Sequence, residues 1–180
     1  MHRGYTKDSY LEKIDRLRKI CPLISITADV IVGFPGEGEK DFEETLDLIQ
    51  KVRFDDLFSF KYSPRKGTRA AQFTDQVEEK VKQERLSVLQ KIQREITLQK
   101  NQEWEGRLEE ILVEGRSKQS LQDMAGRTRS NKIVNFEGDL GLVGKLIPVG
   151  ITKAYPHSLR GGILGSGFTC SPQCLLCRNG

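Results

Sequence analysis

"GRSKQSLQDMAGRTRSNKIVNFEG", residues 115–138, is the stretch on which the reading of this chain turns. From Arg116 to Lys132 it carries five basic residues, Arg116, Lys118, Arg127, Arg129 and Lys132, against one acid, Asp123. Arg127, Arg129 and Asn131 alternate, so on a strand they share one face. Phe136 follows as a candidate stacking platform. A basic strand face with a nearby aromatic suits RNA or single-stranded nucleic acid. Arginine also supplies the planar donor fork that phosphate accepts well. The plainer alternative is a solvated charged face with Phe136 in a barrel core.

Around this stretch, "RLEEILVEGRS" (107–117), "GRTRSNKIVNFEG" (126–138), "GLVGKLIPVGITKAY" (141–155) and "SLRGGIL" (158–164) read as short strands between glycine and polar turns. Strands so closely spaced predict a small five-stranded or similar β-barrel of roughly 60 residues. Pro148 lies inside one of them, which favours an edge or bulge position.

The first hundred residues have a different rhythm. Tyr10, Ile14, Leu17 and Cys21 recur at helical spacing, with Thr6 or Asp8 as the cap. "LISITADVIVG" (23–33) is β-branched and apolar on both faces, like a buried strand of a parallel sheet. "FPGEGEKD" (34–41) turns into a second helix with Phe42, Leu46 and Ile49 inward. "FDDLFSFKYS" (54–63) is a second strand and "PRKGTRAA" (64–71) a loop. A charged helix follows from about Gln76 to Glu103, its apolar face marked by Val77, Val81, Leu89, Ile92 and Ile96. Two buried parallel strands make an incomplete sheet. This half is therefore expected to be the C-terminal piece of a larger α/β sheet or barrel, with a missing N-terminal half or a partner supplying the remaining strands.

In α/β folds ligands gather at the carboxyl ends of strands. Gly33 and Gly36 would let a backbone approach a cofactor there, although a plain βα turn with capping acids explains them equally. Tyr62, Arg65, Lys66 and Arg69 close the second strand, either to meet an anionic substrate or as an exposed basic loop. Neither histidine joins a catalytic arrangement, and no catalytic residue is assigned.

The composition is that of a soluble globular chain: 180 residues, 37% hydrophobic, 30% charged, net charge +4. Its apolar runs fall short of the roughly 20 residues that span a bilayer. "MHRGYTKDSY" (1–10) has no apolar signal region. A cytoplasmic location without a membrane partner is expected, where four cysteines act as thiols or metal ligands. Cys170, Cys174 and Cys177 stand at C-x3-C-x2-C spacing, read as a cluster loop, a zinc clip one ligand short, or a chance spacing. Residues 165–180 are expected to form a disordered tail.

Four stretches in order, "MHRGYTKDSYLEKI" (1–14), "DVIVGFPGEGEKDFEETL" (29–46), "FSFKYSPRKGTRAA" (58–71) and "GRTRSNKIVNFEGD" (126–139), together resemble the MiaB-type tRNA methylthiotransferases, which are radical S-adenosylmethionine enzymes. The resemblance implies α/β plus all-β architecture: the C-terminal part of a partial (βα) radical-SAM barrel over 1–103, then a small TRAM/OB-like β-barrel over 104–164 that holds tRNA. It implies S-adenosylmethionine and two 4Fe-4S clusters in the full-length family, which methylthiolates isopentenyladenosine beside the anticodon. Ile31, Val32, Gly33 and Phe34 match the strand that lines the S-adenosylmethionine site. Tyr62, Arg65, Arg116, Lys118, Arg127, Arg129, Asn131, Lys132 and Phe136 become the tRNA-binding candidates. The family's cluster cysteines lie N-terminal to everything here, so this chain alone is expected to bind tRNA without the ligands for catalysis. The alternative is a stand-alone nucleic-acid-binding module without enzymatic activity.

Overall fold

A computed structural model describes residues 4–118, 120 and 122–163; Cys170, Cys174, Cys177 and the expected disordered tail lie outside the described residues. The chain divides into two compact units between Ile96 and Thr97.

In the first unit, helix α1 (Lys7–Ile20) starts at Thr6, whose hydroxyl accepts from the Ser9 N–H while the Ser9 hydroxyl accepts from the Thr6 N–H. This reciprocal cap satisfies two of the donors that every helix start leaves open. Ile14 is buried, but Leu17 and Cys21, expected on the same stripe, are exposed. Strand β1 (Thr27–Val32) leads through a turn into α2 (Glu39–Val52), which buries Phe42 and Ile49 and returns to β2 (Asp56–Lys61). The strands pair in parallel from Thr27 opposite Asp56 to Val32 opposite Lys61. Asp55 fixes that register: its carboxylate accepts from the Ile26 N–H at 2.9 Å, and its own N–H donates to the Ile26 carbonyl at 2.8 Å. Ile26, Val32, Phe54, Leu57, Leu89 and Ile96 close the core with the two helices. On the other face of β2 Phe58 and Phe60 stay 57% and 53% exposed, and β1, expected to be buried on both faces, buries Val32 and leaves Ile31 exposed.

Helix α3 (Glu79–Gln102) begins later than its apolar pattern suggested, leaving Val77 before it. Its buried side chains include Lys82, Arg85 and Gln93 as well as Leu89 and Ile96. Periodicity counted on apolar residues alone misses such a stripe, because long polar side chains bury their stems and pair their heads.

The second unit is a closed barrel of five strands, β3 (Leu108–Arg116), β4 (Asp123–Thr128), β5 (Ile133–Glu137), β6 (Leu146–Ala154) and β7 (Leu159–Ile163), in the order β3-β4-β5-β7-β6. The stretch 126–138 is thus the end of one strand, a turn and a whole second strand. β5 and β7 run parallel and the other neighbours antiparallel. Ile111, Val113, Met124, Val134, Phe136, Val149, Ile151 and Leu159 fill the interior at 2% exposure or less. The bore is narrow: a Cβ at Gly161 would stand 2.4 Å from Val149 Cγ1. Pro148 pairs with Glu110 on β3.

Asn101 and Trp104 tie the end of α3 to this barrel. Glu109 falls in the inward set of β3, with Ile111 and Val113. Burial pushes its carboxyl above the ordinary value of 4.5, with Arg107 pulling the other way. A carboxyl that holds its proton more tightly when folded stabilises the barrel at low pH and loses that contribution as pH rises through the folded pKa. Glu109→Gln is expected to raise the urea midpoint at pH 7 and to flatten its decline above about pH 4.5. The fluorescence of Trp104, the chain's single tryptophan, reads this out.

Candidate nucleic-acid interface

The β4–β5 turn is built by Thr128. Its carbonyl accepts from the Asn131 N–H at 2.9 Å, its hydroxyl from the Lys132 N–H at 3.1 Å, and its N–H donates to the Lys132 carbonyl at 3.0 Å. Asn131 takes a left-handed conformation, φ 64°, which asparagine tolerates better than other side-chain-bearing residues. Strand β4 has already ended, so Arg129 and Asn131 do not continue a strand face with Arg127, contrary to the alternation. The turn joins them by another route. Arg127 Nε donates to both Glu114 oxygens at 3.0 and 3.1 Å, and Nη1 donates to Asn131 Oδ1 at 2.9 Å. Arg129 stands at the tip with its side chain 89% exposed, touching Glu110 at 3.1 Å.

The electrostatics differ from the count along 116–132. Glu110 and Glu114 come from β3 and formally cancel Arg129 and Arg127, two charges against two. Exposed pairs of this kind contribute about 0–1 kcal/mol to stability. Their consequence is geometric: Arg127 is held through Nε by Glu114 and through Nη1 by Asn131. The glutamates could not be placed from sequence, because only the β3–β4 register sets them beside the arginines.

Three other candidates sit elsewhere. Phe136 is 0% exposed in the barrel core and cannot stack on a base there, so the plainer alternative holds for it. Lys132 donates to Asn101 Oδ1 at 2.8 Å and lies 5.6 Å from the Trp104 ring centroid, a part-buried clasp and not an open contact. Arg116 and Lys118 lie at the opposite end of the β3–β4 hairpin from Arg129, since Arg116 pairs with Met124 while Leu112 pairs with Arg127. Four residues along a strand separate them by about 13 Å. On the neighbouring outer surface Arg160 binds Asp123 and holds its carboxyl below the ordinary range.

In the first unit the turn after β1 is already satisfied by its own chain. The Gly33 N–H donates to Glu37 at 2.9 and 3.0 Å, and the Phe34 N–H donates to Glu37 Oε2 at 3.4 Å. Arg85, with only 8% of its side chain exposed, donates to the same carboxylate at 2.9 Å. The space beside Gly33 is filled by the Lys82 stem, and Val32 is 1% exposed. Of the four expected cofactor contacts, Ile31 and Phe34 alone keep accessible side chains, while Val32 and Gly33 serve the fold. Tyr62 packs edge-on against Phe34 at 5.2 Å, beside a depression of about 420 Å³ lined also by Ser59, Lys82 and Leu86. Its hydroxyl is buried without a hydrogen-bond partner among the described residues. Arg65 is exposed in the following loop. Among the described residues no group of three or more His, Cys, Asp or Glu is placed to hold a metal, and no helix is long and apolar enough to cross a membrane.

Residues 102–164 match the TRAM domain family. The chain is 56% identical over 164 residues to a tRNA-2-methylthio-N(6)-dimethylallyladenosine synthase of Syntrophus aciditrophicus, covering 91% of this chain and 36% of the relative. Proteins of the same name from Syntrophobacter fumaroxidans and Carboxydothermus hydrogenoformans are 57% and 51% identical over 91% and 89% of the chain. The chain spans about 36% of the length of these relatives.

Gly33 has φ +71°, and an added Cβ would lie 2.3 Å from Lys82 Cγ. Gly33→Ala is expected to destabilise the first unit by about 2–4 kcal/mol, part conformational and part steric. Adding Lys82→Ala should recover only the steric part, as read from urea midpoints by far-UV circular dichroism.

Proposed function

The chain belongs to the MiaB-type tRNA methylthiotransferases, matching their C-terminal portion with its TRAM domain, and on that footing we propose that it holds tRNA for methylthiolation of the adenosine beside the anticodon. The observation that carries the reading is the Arg127–Glu114–Asn131 constellation beneath the exposed Arg129. A guanidinium fixed on two sides presents its remaining donors to phosphate without further ordering cost. Arg129 adds long-range attraction, and Arg116 with Lys118 forms a second basic station along the hairpin.

S-adenosylmethionine and two 4Fe-4S clusters supply the radical and sulfur chemistry in this family. The described residues do not offer a cluster donor set, so no step is assigned to a cluster in this chain. Ile31 and Phe34 offer apolar surface that would suit the adenine of S-adenosylmethionine, with Tyr62 and Arg65, the other RNA candidates, at the same end of the strands. The remaining strands and cluster cysteines are assigned to an N-terminal half like that of the longer relatives, and the working compartment to the cytoplasm.

Binding of this kind weakens linearly in log affinity against log salt, with a slope set by the number of phosphates neutralised. Arg127→Ala with Arg129→Ala should weaken tRNA binding and flatten the slope by about two. Glu110→Gln with Glu114→Gln should tighten binding at low salt by about two- to fivefold, because neutral partners no longer compete with phosphate. Filter binding between low and moderate salt decides this; an unchanged slope in the arginine variant would falsify the assigned face.

A further inference from the structure

With Phe136 inside the barrel, the aromatic surface expected beside the basic turn is absent from its predicted place. A different ring stands outside. Tyr155, in the turn between β6 and β7, is 43% exposed, and Lys153 Nζ lies 5.6 Å from its ring centroid. His157, two residues on, is also exposed.

The backbone below this ring is tightly held. The Tyr155 N–H donates to the Ser158 carbonyl at 2.8 Å, and Asn101 Nδ2 donates to the Tyr155 carbonyl at 2.8 Å and to that of Pro156 at 3.5 Å. Asn101 is itself 4% exposed and anchored by Lys132 at 2.8 Å. Pro156 locks its own φ. Ser158 and Leu159, next along the chain, are buried. The backbone of the turn is therefore held at several points, while its largest side chain stays 43% exposed.

We propose that Tyr155 is a stacking platform for an unpaired base of the bound RNA, with Lys153 meeting the adjoining phosphate. The proposal rests on the RNA-binding reading above. A nucleotide joins a flat π-face to an anion within one unit, which matches an exposed ring beside an exposed ammonium. Arg160, opposite Lys153 in the β6–β7 ladder, is matched by Asp123, and Glu105 accepts from the Ala154 N–H at 2.7 Å, so Lys153 is the cation that the turn sets at the ring. A rigid platform also loses little freedom on binding.

The test uses the full chain with two RNAs of equal length, a stem-loop with unpaired loop bases and a blunt duplex, titrated by anisotropy across a salt series. Tyr155→Ala should weaken stem-loop binding about tenfold, within the range for one base–aromatic stack, with the salt slope unchanged and duplex binding unaffected. Tyr155→Phe should stay within about twofold of the parent, since the π-face is kept. Lys153→Ala should lower the slope by about one. Wild-type stem-loop affinity in Tyr155→Ala overturns the proposal, and so does an equal loss on duplex, which marks a structural effect. If the parent chain shows no salt-dependent RNA binding, the RNA reading falls and the platform with it. If the parent binds and the arginine variant flattens its slope while Tyr155→Ala changes nothing, the platform alone falls.

Discussion

The carboxamide of Asn101 holds three segments of the second unit in one place. It belongs to the last turn of α3, donates to the carbonyls of the β6–β7 turn and accepts from Lys132 at the end of the β4–β5 turn. At 4% exposure these bonds face little competition from water. Both turns that carry the proposed RNA contacts are therefore positioned by one buried side chain. Trp104 reinforces the arrangement, with the cations of Arg107 and Lys132 5.5 and 5.6 Å from its ring centroid and its ring packed against the barrel core.

The barrel surface separates positioning from attraction. Arg127 is oriented by Glu114 and Asn131, and its charge is locally matched. Arg129 projects into solvent, with a single exposed contact to Glu110. A face made only of free cations would attract any polyanion; one whose cations are paired favours a ligand that supplies phosphates at the outward donors.

In the first unit a single acid, Glu37, closes the turn after β1 and receives Arg85 from α3. The backbone donors at Gly33 and Phe34 are thereby occupied, and the Lys82 stem lies across Gly33. The turn looks from its glycines like an open cradle, yet it is a packed joint. What remains accessible at this end of the strands is side-chain surface: Ile31, Phe34 and the rim of Tyr62.

The sequence by itself determined the helix–strand–helix–strand–helix order of the first hundred residues, the change from βα rhythm to closely spaced strands near Trp104, the family resemblance and the importance of the stretch around Arg127. These follow from local period, turn chemistry and short motifs, which do not depend on distant partners. Only the tertiary structure decided which residues meet. Closure of five strands sent Phe136 inward, a choice fixed by which pleat face the barrel encloses, and the β6–β7 turn left Tyr155 exposed. The β3–β4 register set Glu110 and Glu114 beside the two arginines, and a left-handed turn, not strand alternation, brought Asn131 to Arg127. Lys82, Arg85 and Asn101 escaped notice because burial of a polar side chain depends on partners far away in sequence, which no local pattern encodes.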